Sequence, residues 1–285
     1  MMHTRSRWGF ERREHSNPLG TRAPKIRLAY KNMNQFFAEQ TQIEDGLVHI
    51  TGADVNHIRN VLRMRRGEKL RVCIPDGKAY LCEIENMDEK EITARILDLD
   101  GTYAELPAEI TLYQGLPKGD KMELIIQKAV ELGAVRVVPV SMTNCVVKLT
   151  EERSIKKTAR WQSIAASAAQ QSKRGRIPRI ENVMDTVCAA EDAAALDLVL
   201  VPYEMADTDS MRFTRAVMEE VRPGLNIGVF IGPEGGFDKK EIALIREICG
   251  EKTRIISLGH RILRTETAGL TMLSLLMYHL EAADS

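Results

Sequence analysis

Phe230-Ile231-Gly232-Pro233-Glu234-Gly235-Gly236-Phe237 is the stretch on which the fold turns. It ends the apolar run IGVFI at residues 227 to 231 and leads into a helical pattern over 238 to 249. A strand that stops in a glycine-bearing loop and is followed at once by a helix is the building unit of a parallel α/β sheet, whose ligands sit at the carboxyl ends of the strands. Glycine lets backbone approach a ligand closely, and a helix start offers free amides. A tight turn would use the same glycines, and at this point both readings stay open.

The same grammar recurs downstream and upstream. SLGHRILRTETAGL at residues 257 to 270 follows the β-run RIISL at 254 to 258 and precedes a helix expected over 266 to 281. Upstream lie DLVLV at 197 to 201, with helices expected at 153 to 173 and 209 to 221, and EITLYQG at 109 to 115. Between EITLYQG and VRVVPV the pattern predicts a helix capped by Asp120, with Glu123 completing a capping box and Gly133 closing its end after Leu132. A parallel sheet covered by helices is therefore expected from about residue 106 onward.

Before the Leu106-Pro107 junction the pattern is different. NQFFAE, LVHIT, EKLRVCIP, KAYLCEIE and EITARILD are short strands, several of them alternating, and Asp76-Gly77 suits a tight hairpin turn. Residues 33 to 105 thus read as a small β-rich domain, expected to be a barrel, and 106 to 285 as the α/β domain. Residues 1 to 32 show no apolar periodicity and contain Asn17, Pro18, Gly20 and Pro24, so they read as a disordered extension or leader, with Met33 a candidate native start.

The charge balance excludes less than it first suggests. The 40 basic and 40 acidic residues cancel, but residues 1 to 32 carry eight of the bases and only Glu11 and Glu14, leaving 32 and 38 for the body. Any nucleic-acid site on that body must be a local basic patch. Two runs qualify: Arg59, Arg63, Arg65, Arg66, Lys69 and Arg71 against Glu68, and Arg153, Lys156, Lys157, Arg160, Lys173, Arg174, Arg176 and Arg179 against Glu151 and Glu152. A solvated charged face would look the same in isolation.

Other classes drop out on spacing. There is no GxGxxG after the first α/β strand, no GxxxxGK[ST], no HExxH and no GxSxG. Cys73, Cys82, Cys145, Cys188 and Cys249 are scattered without metal-ligand spacing, so buried free thiols and no metal are expected. The apolar stretch from Ala268 to Leu280 is interrupted by Thr271, Ser274 and His279 and falls short of the roughly 20 residues a bilayer span needs. A cytoplasmic protein with no membrane anchor is expected.

QGLPKGDKMELIIQKAVELG, WQSIAASAAQQSKRGRIPRI, IGPEGGF with Glu241 after it, LGHRILRTETA and HIRNVLRMRRGEKLRV together cover most of residues 33 to 285. In these segments the chain resembles the RsmE family of 16S ribosomal RNA uridine N3-methyltransferases, within the SPOUT superfamily. The resemblance implies a PUA-like barrel followed by an α/β domain with a C-terminal trefoil knot, within a homodimer. It implies S-adenosyl-L-methionine as cofactor, held by three loops: Pro202 and Tyr203; Gly232, Pro233, Glu234, Gly235 and Gly236; and Leu258, Gly259, Ile262, Leu263, Thr265, Thr267 and Ala268.

The chemistry then narrows the catalytic candidates. Methylating uracil N3 means removing its proton or stabilising the resulting anion. Arg264 and Arg261 are candidates for stabilising the charge, Glu266 for accepting the proton, and His260 is a weaker candidate in the same loop. Salt bridges or a helix cap would use the same residues. Lys118, Lys121 and Gln127 are expected to flank the cleft without catalytic work. Arg59, Arg63, Arg65, Arg66, Lys69, Arg160, Lys173, Arg174 and Arg176 are the expected contacts to 16S ribosomal RNA in the small subunit. The alternatives are a SPOUT enzyme with another base or ribose target, although ILRTETA lacks the asparagine of the ribose branch, and a non-catalytic ribosome-assembly factor.

Overall fold

The computed structural model describes residues 33–75, 77–100, 104–204 and 210–283. The expected extension at 1 to 32 and Asp76 of the hairpin turn lie outside the described residues.

The first sheet is built from β1 (Gln35–Phe37), β2 (Ile43–Glu44), β3 (Leu47–Thr51), β4 (Lys69–Cys73), β5 (Ala79–Met87) and β6 (Glu91–Asp100), in the order β1-β4-β5-β6-β3-β2. Only β1 and β4 run parallel. Alternating side chains put Val48, Ile50, Leu70, Val72, Ile84 and Ile92 into one apolar core. The two long strands β5 and β6 slip register after Leu81 and again after Ile84, bulges that bend a strand pair. Ile74 N–H donates to the Lys78 carbonyl at 3.0 Å to close the β4–β5 hairpin. The expected barrel takes the form of a half-barrel, with β1 and β2 as the sheet's two edges. A short helix α1 (Ala53–Asn56) passes into a single π-turn at His57–Val61, and Val55 and Ile58 join the same core.

The second sheet contains β7 (Glu109–Gly115), β8 (Arg136–Ser141), β9 (Arg179–Ile180), β10 (Met184–Asp185), β11 (Leu198–Pro202), β12 (Asn226–Ile231) and β13 (Thr253–Ile256). Its order is β10-β8-β7-β12-β11-β13, with β9 beside β8, and every pairing is parallel. Helices cover a parallel sheet on both faces, which is why its strands are apolar nearly throughout. These helices are α2 (Lys121–Glu131), α3 (Glu151–Gln171), α4 (Thr186–Ala193), α5 (Ser210–Met218), α6 (Lys239–Cys249) and α7 (Thr265–Ala283). Tyr113 and Phe230, register partners on β7 and β12, stack at 4.4 Å between ring centroids.

Two local expectations changed. Asp120 precedes α2, but its side chain makes no capping hydrogen bond, because its backbone at φ −96° and ψ 10° is not the extended conformation that aims a cap. Gly133 does end that helix, at φ +95°. The strands β9 and β10 and the helix α4 were not foreseen. Two-residue strands carry no periodicity, and TVCAAEDA is too small and too alanine-rich to show an apolar stripe.

Chain order and space part company at the C-terminus. β13 lies at the sheet edge beyond β11, yet α7 starts beside the ends of β12 and β7. Residues 257 to 264 therefore run back across the carboxyl end of β11, and that return builds the site.

Candidate cofactor cavity and RNA surface

β11, β12 and β13 end side by side, and the loops that leave them enclose a cavity of about 390 Å³. Pro202, Tyr203 and Glu204 come from the first loop, Gly232, Pro233, Glu234 and Gly236 from the second, and Leu258, Gly259, Ile262, Leu263, Thr265 and Ala268 from the third. These loops are held by specific hydrogen bonds. Gly236 N–H donates to the Pro233 carbonyl at 2.9 Å, and the Asn144 amide donates to the Gly235 and Gly236 carbonyls at 3.2 Å each. Tyr203 N–H donates to the Ile256 carbonyl at 2.9 Å, and its ring stands edge-on to Phe237.

The second loop runs into α6 through a formed capping box. Asp238 accepts from Lys240 N–H at 2.8 Å, while the buried Glu241 carboxylate accepts from the amides of Asp238 and Thr143 and from the Thr186 hydroxyl. Three donors satisfy a carboxylate that would otherwise be costly to bury. Glu241 thus ties α6 to β8's exit and to α4.

Gly115, at the end of β7, explains how the loops pack so closely. A Cβ there would lie 2.7 Å from the Pro233 nitrogen and 3.0 Å from the Gly232 carbonyl carbon. Only a residue without a side chain lets the second loop cross β7. Nothing beside Gly115 in QGLPKG marks this crossing, and Glu204, Ile231, Phe237 and Ser257 line the cavity with no signal in their own neighbourhoods. Glycine spacing marked the loops but not their neighbours in space.

The catalytic candidates separate. Arg261, Arg264 and His260 line the cavity. Glu266 does not; its carboxylate lies 3.3 Å from the Lys121 ammonium, which also holds Glu234 at 3.0 Å. Hydrogen bonding to Glu234, and then to Glu266, raises the Lys121 ammonium above its ordinary range. Although burial opposes it, the hydrogen bond from Lys121 holds the Glu234 carboxyl below its ordinary value. Lys121 thus ties Glu266, at the start of α7, to Glu234 of the second loop. Gly235 and Thr267 also fall outside the lining: Gly235 turns to Asn144, and Thr267 follows the loop inside α7.

The basic runs split likewise. Arg63, Arg65, Arg66 and Lys69 are exposed, and Arg59 is half-buried with a hydrogen bond to the Asp88 carbonyl. Arg160 is exposed beside Glu123 at 2.8 Å. Arg174, expected on RNA, is 1% exposed. Its guanidinium is shared by Glu105 and the carbonyls of Val130 and Ala134, and Arg176 is committed to Glu105 and Glu109. Arg174 is corrected to a structural role, since a buried guanidinium needs its counter-charge and acceptors inside the protein, whereas Arg176 stays half-exposed. Burial alone would raise the Glu105 carboxyl, but hydrogen bonds from Arg174, with Arg176 nearby, hold it below its ordinary value.

Comparison with known proteins is consistent with these features. Residues 104–277 match the RNA methyltransferase domain family and residues 50–97 the RNA methyltransferase PUA domain family. The chain is 36% identical to the ribosomal RNA small subunit methyltransferase E of Bacillus subtilis over 253 residues, covering 87% of this chain and 98% of the relative. The chain belongs to the RsmE family.

Solved RsmE-like structures agree. The ribosomal RNA small subunit methyltransferase E of Neisseria gonorrhoeae bound to S-adenosyl methionine superposes with a TM-score of 0.70 at 30% identity, covering 85% of this chain and 96% of that one. A putative methyltransferase of Legionella pneumophila in complex with the same cofactor gives 0.72 at 32%, covering 88% and 98%. The RsmE architecture, a PUA-like half-barrel ahead of a SPOUT α/β domain, is the fold of this chain.

Proposed function

We propose that this chain transfers a methyl group from S-adenosyl-L-methionine to N3 of a uridine in 16S ribosomal RNA of the small subunit. The observation that carries the reading is the cavity at the joined ends of β11, β12 and β13, in a chain whose relatives bind that cofactor. At about 390 Å³, with loop backbone and a few apolar side chains in its walls, it suits an adenosine-sized ligand. Tyr203, Gly232, Leu258, Thr265 and Ala268 are the residues that would hold it. Once bound, the cofactor supplies a methyl group already activated on a sulfonium.

The remaining work falls to this chain's side chains. Arg261 and Arg264 bring guanidinium charge to the cavity, where it stabilises the uracil anion as the N3 proton leaves. Glu266, at the start of α7, accepts that proton, with His260 of the cavity wall the weaker alternative. The target base has to leave its stack to enter. Arg59, Arg63, Arg65, Arg66, Lys69 and Arg160 would hold phosphates outside.

The reading extends to the C-terminal trefoil knot, to a homodimer and to a cytoplasmic setting beside the ribosome. The return of residues 257 to 264 across β11, with Ser257 bonded to Thr214 of α5, is the path a knotted tail would take. Tyr278 and Ile262, largely exposed, offer apolar surface to a second copy. The division at residues 33 to 105 and 106 to 285 belongs to the same proposal.

The test is transfer of labelled methyl from S-adenosyl-L-methionine to small subunits lacking the modification, with the product nucleoside identified by mass spectrometry. N3-methyluridine supports the assignment; a different methylated nucleoside replaces the target, and no transfer despite cofactor binding removes the activity.

A further inference from the structure

A second cavity, of about 230 Å³, opens between the start of β1 and the C-terminal end of α3. Asn34, His57, Gln170 and Gln171 line it, with Ser167 at its rim and Lys173 beside them. It shares no lining residue with the cofactor cavity.

Its floor is built by hydrogen bonds. The Gln170 amide donates to the Gln35 carbonyl, and the Gln35 amide donates to the Arg174 carbonyl at 2.6 Å. Arg71, buried against Asp100, donates to the Gln35 side-chain oxygen at 2.6 Å and to the Lys173 carbonyl at 3.0 Å. The His57 ring is braced edge-on against Phe36, 6.2 Å between centroids. A cleft fixed by this many bonds on both sides is preorganised for a ligand.

The lining says what that ligand is. Neutral side-chain amides both donate and accept, and so match the edge of a nucleobase. An imidazole offers a face for stacking. Among the described residues, no carboxylate lines the cleft. Lys173 stands at one side, while Leu62 in the wall leads directly to exposed Arg63. Burial, and then the charge of Arg71, holds the Lys173 ammonium below the usual lysine range. The volume is too small for the roughly 300 Å³ and upward of ordinary small-molecule pockets, but suits one planar base.

We propose that this cleft captures one unpaired nucleotide of the substrate RNA, separate from the nucleotide that is methylated. The base lies among Asn34, Gln170 and Gln171 against His57, and its phosphates are met by Lys173 and Arg63. This rests on the RNA methyltransferase reading above.

Ser167→Trp, on the exposed face of α3, fills the cleft without touching the cofactor cavity. The KM for unmethylated small subunits is expected to rise about ten-fold, within the range for losing one base stack, with kcat and S-adenosyl-L-methionine affinity within two-fold of wild type. Gln171→Ala repeats the test without added bulk, and a smaller rise in KM is expected. As a separate readout, a single-stranded decaribonucleotide carrying 2-aminopurine should be quenched by the wild type and not by Ser167→Trp. Wild-type KM and wild-type quenching in both variants overturn the cleft assignment while leaving the activity intact. Should the wild type transfer no methyl group, the 2-aminopurine comparison still decides the cleft alone.

Discussion

The Thr265 hydroxyl donates a 2.6 Å hydrogen bond to the Gly232 carbonyl and accepts one of 2.8 Å from the buried Gln114 amide. One side chain therefore joins the first turn of α7, the loop after β12 and the end of β7. Thr265→Val keeps the shape and removes both bonds, leaving a buried donor and acceptor unpaired. Stability is expected to fall by about 1–3 kcal/mol, with cofactor affinity falling in parallel, and Thr265→Ser should restore both. Calorimetric titration and thermal melting check this; a Val variant with wild-type affinity would break the link between this bond and the cavity.

Glycines around the same loop are predicted to differ in severity. A Cβ at Gly232 meets Gly236 and Phe237 at 3.2 Å, a contact that a small shift relieves, whereas at Gly115 it lies 2.7 Å from the Pro233 backbone. Gly232→Ala should weaken cofactor binding in a folded protein. Gly115→Ala should displace the loop and weaken binding further. Equal affinities for the two variants would contradict the packing described.

Glu105 sets an acid limit on the fold. Its folded carboxyl lies below the ordinary value of 4.5, so the unfolded chain binds the proton more readily. Its contribution is present above that ordinary value and is lost as pH falls through the folded pKa. Glu105→Gln leaves Arg174 buried without its counter-charge and should destabilise by about 3–5 kcal/mol at neutral pH, while flattening the acid limb of a stability-against-pH curve. Denaturant melts from pH 3 to 7 report both effects.

The exposed arginines make a salt-dependent prediction. Replacing Arg63, Arg65 and Arg66 by glutamine should weaken RNA binding and reduce the log–log salt slope by roughly two, at about 0.7 per single-stranded phosphate contact. Cofactor affinity should not change. An unaltered slope in a fluorescence titration would take this patch off the RNA path. Arg174→Gln, by contrast, should act through stability.

Lys121→Met separates positioning from binding. The change releases Glu234, which lines the cofactor cavity, and Glu266 from one ammonium. Methyl transfer is expected to drop more than cofactor affinity, and Lys121→Arg to recover part of it. A fall in affinity alone would make Lys121 a support for the second loop only.

The order of the strands and helices other than β9, β10 and α4, the half-buried alternation before residue 100 and the glycine loops at 232 to 236 and 257 to 270 were legible in the chain itself. Periodicity and glycine placement are local properties, and neighbouring residues suffice to express them. What only the tertiary structure decided is which residues meet. Gly115 lies more than a hundred positions from Pro233, and Lys121 more than a hundred from Glu234, yet each pair shapes one cavity wall. Arg174 and Arg63 look alike as members of basic runs. One is buried on Glu105 and the other faces water, because burial and counter-charge are set by the packing of distant segments and leave no mark on the residues next to them.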